Sequence, residues 1–250
     1  GITKCGDRFH LRGKKMAFDC RRLLLATGVY HLPPQIPSAN ECIGKSIFFC
    51  KDCDGYRVRG KRVIILGHNN EAVEYALGIT TFTDCVTLLA NGENPQWDEC
   101  HEEWLGEYGI PVFLEKAREL SHEQGQVNGV TLEGGRQIRV DCIFATRGDV
   151  FHNLLARQLG AALDEEGQVI VDKTQRTTVP GLYAAGCVTP ANCQMIIAAG
   201  HGAAAAQAIN RDLFELSLSN GGLRQIRDHQ IAGGATGPDL LEAAAITAAK

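Results

Sequence analysis

Two closely spaced cysteines, Cys50 and Cys53, are the residues of this sequence best suited to chemistry. They belong to the segment 50–55, which reads CKDCDG. The spacing places two thiols one helical turn apart, beside a lysine and two carboxylates. A thiolate can attack a disulfide while a second sulfur resolves the mixed disulfide that forms. The pattern therefore predicts a redox-active dithiol.

Two other readings of this pair stay open at the level of the residues. Half of a zinc site is one, but zinc needs four ligands and no second cysteine pair lies at ligand spacing; Cys187 and Cys193 are poorly matched. A pair of inert, buried thiols is the other. We expect no metal site.

The remaining cysteines do not form a disulfide framework. They are dispersed singly through a chain of 250 residues, which is large enough not to need covalent staples. We expect most of them to be small buried hydrophobic residues. They are Cys5, Cys20, Cys42, Cys85, Cys100, Cys142 and Cys187.

The composition is that of a globular protein, with 44% hydrophobic and 22% charged residues. The formal charge of -4 comes from 29 acidic and 25 basic residues without a basic block, so nucleic acid is not an expected partner. No apolar run approaches the roughly 20 residues that cross a bilayer, so we expect a cytoplasmic protein with no membrane partner. Because the chain begins at Gly1 in what reads as mid-domain, we expect an incomplete N-terminus.

Alternating apolar runs and helical spacing predict a Rossmann-type unit. Between Val63 and Leu114 the order is strand, helix, strand, helix, strand, with Asn69 or Asn70 as N-cap of a helix over 70–81 and a second helix over 98–108. A hairpin over 127–140 follows, and alanine-rich residues 198–209 suit a closely packed helix. The predicted strands are 22–27, 63–66, 86–89, 111–114, 137–146 and 182–185.

The stretches that flank this unit do not complete a sheet alone, so we assign them to one second domain. We divide the chain into residues 1–47, the inserted Rossmann-like domain 48–147 with the dithiol, residues 148–216, and a flexible tail 217–250 rich in glycine and alanine.

Four motifs in the same order resemble the low-molecular-weight thioredoxin reductases of the pyridine nucleotide-disulfide oxidoreductase superfamily. The CKDCDG segment lies just before the strand 61–66 and Gly67, as in that family. Leu25–Gly28 (LATG) before it, and Gly181–Gly186 (GLYAAG) with Gln194 after it, match the family's flavin-domain segments. The likeness covers residues 1–214.

This resemblance implies an α/β, FAD/NAD(P)-binding Rossmann-like fold of two domains and a bound FAD. By the same likeness Cys53 faces the flavin, Cys50 attacks the substrate disulfide and Asp54 is the acid/base group. It also implies a thioredoxin-like protein or a small-molecule disulfide as substrate, and a homodimer. The flavin-binding residues that it implies are Thr27, Gly28, Gly186, Cys187, Gln194 and Met195.

The sequence departs from the family at both nucleotide sites. Asn69 stands where a pyridine-nucleotide loop needs its second glycine, and Leu89, Ala90 and Asn91 provide no selector for the ribose or its phosphate, so direct use of NADPH is disfavoured. Cys187 replaces the family's aspartate, and a thiol is a poor acceptor for the flavin ribityl chain. The glycine-rich loop that opens a flavin domain is missing.

We therefore expect an FAD-dependent thiol/disulfide oxidoreductase that works through Cys50 and Cys53. A dithiol oxidase that passes electrons to oxygen is one alternative, and a non-catalytic redox-sensing protein that has lost flavin is the other. Peroxide formation distinguishes the first, and a colourless protein the second.

Overall fold

The structure is a computed structural model that describes residues 1–233. The chain divides into two compact units. The first contains Gly1–Val29 and the chain from Phe151 onward, and the second is Tyr30–Val150. The chain thus passes between the units at 29/30 and 150/151, whereas the sequence places these boundaries at 47/48 and 147/148.

The strands of the described residues are short, and eight of the fifteen lie at predicted positions. They are β1 (Ile2–Cys5), β2 (Arg8–Arg12), β3 (Ala17–Cys20), β4 (Leu23–Leu25), β5 (Val29–His31), β6 (Ile47–Phe48), β7 (Val63–Leu66), β8 (Val86–Leu89), β9 (Val112–Phe113), β10 (Ala117–Glu123), β11 (Gln126–Leu132), β12 (Gln137–Arg139), β13 (Cys142–Ala145), β14 (Asp149–Phe151) and β15 (Leu182–Ala184).

The helices range from one turn to seven. They are α1 (Ala39–Cys42), α2 (Lys51–Asp54), α3 (Asn70–Ile79), α4 (Glu99–Glu107), α5 (Leu154–Gln158), α6 (Met195–Ser219) and α7 (Gly222–Gly233), with 3-10 turns at Gly55–Val58 and Gly186–Val188. None of the helices within residues 1–233 is long and apolar enough to span a membrane.

A five-stranded sheet forms the centre of the second unit. Its order is β6-β13-β7-β8-β9, and every pairing is parallel. All four residues of β7 are buried, as expected for a parallel strand covered on both faces. The predicted Rossmann unit is therefore present, and its strands 63–66 and 86–89 have the predicted bounds.

The two helices of this unit begin at polar N-caps. Asn69 Oδ1 accepts a hydrogen bond from Ala72 N at 3.1 Å, so Asn69 rather than Asn70 caps α3. Asp98 caps α4 by accepting from His101 N at 3.0 Å. In each case the side chain satisfies a first-turn amide that has no partner within the helix.

The antiparallel part of the second unit has one strand more than predicted. The expected hairpin is present as β11 and β12, and β10 pairs with the other edge of β11. The run predicted as one strand over 137–146 is divided into β12 and β13. Asp141 lies at the break, where its carboxylate binds the backbone and guanidinium of Arg62.

The first unit contains a small antiparallel sheet, β1-β2-β3, that the sequence analysis missed. These strands bury few apolar side chains, Phe9 being the main one, and their pattern is correspondingly weak. Two parallel strands, β4 and β15, lie beside a core around Phe9, Leu25 and Leu182.

The alanine-rich helix is longer than the predicted 198–209, because α6 runs from Met195 to Ser219. Gly221, with φ of 73°, then turns the chain into α7. The tail predicted as flexible from residue 217 is thus helical through Gly233. Residues 234–250 of that tail lie outside the described residues.

The expectation that most single cysteines are buried is wrong. Among the seven, only Cys42 and Cys142 are buried, and Cys5, Cys85 and Cys100 are exposed. Cys85 lies at the loop before β8 and Cys100 in the first turn of α4, where the helix faces solvent. A small side chain is tolerated at such positions, so residue type alone did not predict burial.

Candidate active site

The two cysteines of the CKDCDG segment form a disulfide in the second unit, with 5.3 Å between their Cα atoms. Cys50 is the N-cap of α2 and has an extended backbone, while Cys53 lies in the first turn of the helix. With both sulfurs in a disulfide, neither is a zinc ligand in this state. The expected pairing of the two thiols is present in the structure.

The start of α2 favours negative charge on the first sulfur. Cys53 N donates a hydrogen bond to Cys50 Sγ at 3.1 Å. A thiolate is a much stronger acceptor than a neutral sulfur, so this backbone donor stabilises Cys50 Sγ once the disulfide is reduced. The geometry therefore suits Cys50 as the attacking or leaving sulfur.

Asp54 lies on the same turn as the disulfide, since its N–H donates to Cys50 O at 3.1 Å. Its carboxylate accepts a hydrogen bond from Arg57 Nη1 at 2.8 Å, and its side chain is 21% exposed. The Arg57 guanidinium in turn lies 4.6 Å from the centroid of the Phe48 ring. The carboxylate is thus held in place and largely shielded from solvent.

A tyrosine that sequence reasoning missed contacts the start of α2. Tyr75, on α3, donates its hydroxyl to Phe49 O at 3.0 Å, and Lys51 Nζ lies 5.5 Å from its ring centroid. Burial, with smaller contributions from Glu71 and Asp52, raises the pKa of Tyr75 to about 12. Tyr75 is therefore a neutral hydrogen-bond donor at physiological pH. Nothing in the helical spacing of α3 distinguishes it from a core residue.

The residues predicted to bind flavin lie in the first unit, and two of the segments meet at one sheet edge. Thr27 and Gly28 follow β4, Gly186 follows β15, and the parallel strands are joined there by Ala185 N donating to Leu25 O at 3.0 Å. Both glycines have positive φ, 71° and 75°. Carboxyl ends of parallel strands are the usual position of a cofactor in such sheets.

The start of α6 completes this group. A Cβ on Gly186 would lie 3.4 Å from the Cβ of Ala198, which brings the strand end against the first turn of α6. Gln194 provides no side-chain cap there, and Met195 is 88% exposed. Helix amides at such a start favour negative charge, which develops on a flavin ring when it is reduced. These residues fit the ring end of a flavin, although Cys187 is only a weak acceptor.

The loop after β7 keeps the first glycine of a nucleotide-binding loop. The backbone amide of Ala72, however, is hydrogen-bonded within the loop itself. A Cβ on Gly67 would collide with Thr146 Oγ1 and with the Cβ of Ala72, so only glycine fits at this first position. Asn69, at the second position, occupies Ala72 N with its own side chain. Gln96 N donates to His68 O at 2.6 Å, which joins this loop to the segment after β8.

Residues 90–97, which follow β8, contain no lysine or arginine. Ala90 is buried, and Asn91 uses a left-handed backbone, with φ of 58°, to place its Oδ1 on Ala117 N at 2.8 Å. Both residues are therefore structural.

Comparison with known proteins shows the family to which the chain belongs. Residues 2–208 match the family described as pyridine nucleotide-disulphide oxidoreductase. The chain belongs to this family. It is 29% identical over 218 residues to a thioredoxin reductase of Treponema pallidum, which covers 83% of this chain and 70% of the relative. It is 30% identical over 227 residues to a thioredoxin reductase of Coxiella burnetii, with coverage of 84% and 70%.

Solved structures agree with the sequence relatives. A structure named as thioredoxin reductase TrxB of Bacillus anthracis superposes with a TM-score of 0.78 at 30% identity, covering 86% of this chain and 73% of the other. The predicted family and fold class are confirmed. This family member is a flavin-dependent disulfide oxidoreductase of the thioredoxin reductase type, as the sequence analysis expected.

Proposed function

We propose that this oxidoreductase moves electron pairs between FAD and a substrate disulfide, with Cys50 as the substrate-attacking sulfur and Cys53 as the sulfur that exchanges electrons with the flavin. The observation that carries the proposal is the Cys50–Cys53 disulfide at the start of α2, in a chain of this family. A dithiol gives up two electrons when it forms a disulfide, and a flavin can transfer two electrons at once, so the two groups can exchange an electron pair.

The exchange step needs no other oxidant. In the reduced protein, the Cys50 thiolate attacks one sulfur of the substrate disulfide, and the other substrate sulfur leaves as a thiolate. Cys53 then attacks Cys50 Sγ, releases the second substrate thiolate and restores the Cys50–Cys53 bond. The substrate gains two electrons and the dithiol loses two. The hydrogen bond from Cys53 N favours Cys50 as both attacker and leaving group.

Asp54 is the proposed proton acceptor for this step. It follows Cys53 directly on the turn of α2, and the bond from Arg57 fixes its orientation. It would accept the proton of the Cys53 thiol as that sulfur attacks Cys50 Sγ, which is general base catalysis and contributes about 10² to 10⁴ in rate. Asp52, by contrast, is directed to solvent and to Lys51.

The flavin contacts are proposed for the first unit. A bound flavin would supply the electron pair that reduces the disulfide. Gly28 and Gly186 would let the backbone approach its ring, and the first amides of α6, from Met195 after the N-cap Gln194, would face the ring edge where charge develops. Thr27 and Cys187 flank these glycines. The Thr27 hydroxyl donates to His152 O at 2.6 Å, which holds the strand end in place.

We propose that the flavin does not receive its electrons from a pyridine nucleotide bound in the second unit. Family members use FAD and NAD(P), but here Asn69 fills a loop amide, and Ala90 and Asn91 are structural. A pyrophosphate needs unoccupied amides and close backbone approach. Electrons would therefore reach the flavin from another reductant.

The proposed substrate is a thioredoxin-like protein or a small-molecule disulfide, which rests on the names of the relatives. We place the reaction in the cytoplasm, because the seven singly dispersed cysteines named above are not disulfide-bonded, as is usual in a reducing compartment. A homodimer is also proposed, and light scattering of the purified protein tests it.

Trapping the mixed disulfide tests the proposal without any flavin. The Cys53→Ser variant is reduced, desalted and mixed with a thioredoxin whose one remaining active-site cysteine carries thionitrobenzoate. Attack releases the coloured thiol and leaves a stable cross-link. We expect the cross-link at Cys50 by peptide mapping, and oxidised glutathione in a parallel reaction to modify the same residue.

The exposed cysteines serve as internal controls. Cross-linking at Cys5, Cys85 or Cys100 at the same rate as at Cys50 would overturn the assignment of Cys50. Modification of Cys50 by glutathione but not by thioredoxin would select the small-molecule substrate. Release of peroxide when a dithiol is added to the flavin-loaded protein would instead support an oxidase.

A further inference from the structure

The residue before the active-site pair, Phe49, is held at two points. Its ring stacks on the imidazole of His31, with centroids 5.4 Å apart and ring planes 16° apart. Its carbonyl accepts the hydroxyl of Tyr75 at 3.0 Å. Because Phe49 is bonded directly to Cys50, these contacts restrict the backbone from which the Cys50 side chain extends.

The stacking histidine is itself held by a carboxylate. His31 Nδ1 lies 2.6 Å from Asp149 Oδ1, and the two residues belong to β5 and β14, 118 positions apart in the chain. The hydrogen bond from Asp149 raises the pKa of His31, against the opposing effect of burial. A carboxylate that binds one ring nitrogen fixes both the tautomer and the plane of an imidazole.

Phe49 is also the residue through which the tyrosine joins this pair, because its carbonyl accepts the Tyr75 hydroxyl. Burial is the main cause of the raised pKa of Tyr75, and the charges of Glu71, Asp52 and, more weakly, Asp149 add to it. His31, Asp149, Phe49 and Tyr75 therefore form one connected group in the second unit. We call it the Phe49 clamp.

The His31–Asp149 ion pair contributes too little to the stability of the fold for that to be its main role. The two side chains are 37% and 34% exposed. Ion pairs with this degree of exposure contribute about 0 to 1 kcal/mol, and salt weakens them further. What distinguishes this pair from other surface pairs is the stack that connects it to the residue before Cys50.

We propose that His31, oriented by Asp149, is a positioning residue for Cys50: it fixes the Phe49 ring and thereby the direction in which Cys50 Sγ meets a substrate disulfide. The inference rests on the proposed function of the Cys50–Cys53 pair. Small errors in the placement of a reacting atom cost large factors in rate, about 10²-fold for a displacement near 1 Å. The clamp changes no bond in the reaction and acts through Phe49.

The test measures disulfide exchange in the whole chain, independently of flavin. The reduced protein is mixed with oxidised glutathione, quenched with an alkylating agent at intervals and analysed by mass spectrometry for the Cys50–Cys53 bond. We expect His31→Ala to slow its formation at least about tenfold. Asp149→Asn should slow it less, because the stack remains while its orientation is loosened.

The matched control is another histidine–aspartate pair, His10 and Asp19, in the first unit. Its Nδ1–Oδ1 distance is 2.5 Å, and its side chains are 43% and 57% exposed. His10→Ala removes a similar pair that has no stack on Phe49. We expect its exchange rate to equal that of the wild type, and melting temperatures verify that all variants are folded.

Rescue by an aromatic substitution separates positioning from other roles. His31→Phe keeps the stack on Phe49 and loses the titratable ring, so we expect a rate within a few-fold of the wild type. A rate as low as that of His31→Ala would overturn positioning through Phe49 and indicate a proton-carrying imidazole. Equal rates for His31→Ala and the wild type would also overturn it. If the wild type itself formed no Cys50–Cys53 bond, the proposed function would fail instead.

Discussion

A Cβ atom on Gly55 would lie 2.5 Å from Cε2 of the Phe82 ring and 2.8 Å from its Cζ. The φ angle of Gly55 is -55°, so any residue could adopt its backbone. Glycine is therefore required after Asp54 because the Phe82 ring leaves no room for a side chain, and not because of the backbone conformation. The turn that follows α2 therefore packs against Phe82, just after the end of α3. This packing fixes the backbone position of the neighbouring residue, Asp54.

We predict that Gly55→Ala destabilises the protein by about 1 to 3 kcal/mol, the usual cost of overpacking. Urea unfolding followed by circular dichroism measures it. Gly106→Ala is the control, because Gly106 lies in α4 with no atom near its Cβ position. That change should be neutral or stabilise by up to about 1 kcal/mol. Equal effects of the two substitutions would contradict the packing argument.

The Rossmann unit could be predicted from the sequence because its signals are local. The strand 63–66 is apolar at every position, which a strand buried on both faces requires, and Asn69 stands directly before the helical spacing of α3. The dithiol was equally visible, since Cys50 and Cys53 are three positions apart.

The surroundings of the dithiol could not be predicted in the same way. His31 and Asp149 are 118 positions apart and meet only because β5 and β14 pair. Tyr75 and Phe49 likewise meet across the packing of α3 on α2. Neither residue carries a spacing signal. Such contacts follow from topology, which the pattern of one chain does not specify at the level of side chains.

Asp54→Asn should slow disulfide exchange by about 10²-fold while leaving the Cys50–Cys53 bond able to form. An amide cannot take up the thiol proton. The measurement is the rate at which the reduced protein reduces oxidised glutathione. Asp52→Asn is the control, since its side chain is 73% exposed and should leave the rate within about twofold, as for most surface changes.

The loss of the Arg57 ion pair must be separated from the loss of the base. Arg57→Gln removes the partner of Asp54 and keeps the carboxylate. If Arg57→Gln slowed exchange as much as Asp54→Asn, the carboxylate would act through structure and not as a base.

The contact between Asp141 and Arg62, beside the first residues of β13 and β7, should make the stability of the protein depend on pH in acid. Hydrogen bonds from the Arg62 side chain lower the pKa of Asp141 from 3.8 to about 2, against the effect of burial. The folded-state pKa is below the unfolded value, so this contribution to stability is complete above about pH 4 and is lost as the pH falls to about 2. We expect the stability difference between the wild type and Asp141→Asn to shrink over that interval.

Urea unfolding at a series of pH values measures this difference. The Arg62→Gln variant should show the same narrowing, because it removes the donor side of the same contact. A difference that stayed constant from pH 6 to pH 2 would show that the Asp141–Arg62 contact does not depend on ionisation of the carboxyl group.

We predict that NADPH does not bind the second unit measurably and that one loop change is not enough to restore binding. Asn69→Gly removes the side-chain acceptor of Ala72 N but keeps its backbone acceptor, Asn69 O, and should cost only a few tenths of a kcal/mol as an N-cap. A phosphate also needs a cation, and the exposed Gln96 pairs with the loop at His68. The double change Asn69→Gly with Gln96→Arg should therefore gain affinity, by about tenfold or more over the single change.

Isothermal titration with NADPH measures these affinities. Asn69→Gly with Gln96→Glu is the matched control, which opens the loop equally but adds the wrong charge and should gain nothing. Micromolar binding of NADPH by the wild type would show that the Asn69 cap does not block the site.

The two sulfurs should give different spectra when each is replaced in the flavin-loaded protein. Cys50→Ser leaves Cys53 as a lone thiolate, which on the proposed assignment faces oxidised flavin and gives a long-wavelength charge-transfer band. Cys53→Ser should leave Cys50 open to alkylation and give no such band. Both variants should lose turnover, because attack and resolution each need their own sulfur. Cys100→Ser, at an exposed cysteine of α4, should change neither the spectrum nor the rate. A band in Cys53→Ser and none in Cys50→Ser would reverse the two roles, and dithiol-dependent turnover that survived both substitutions would remove the pair from the mechanism.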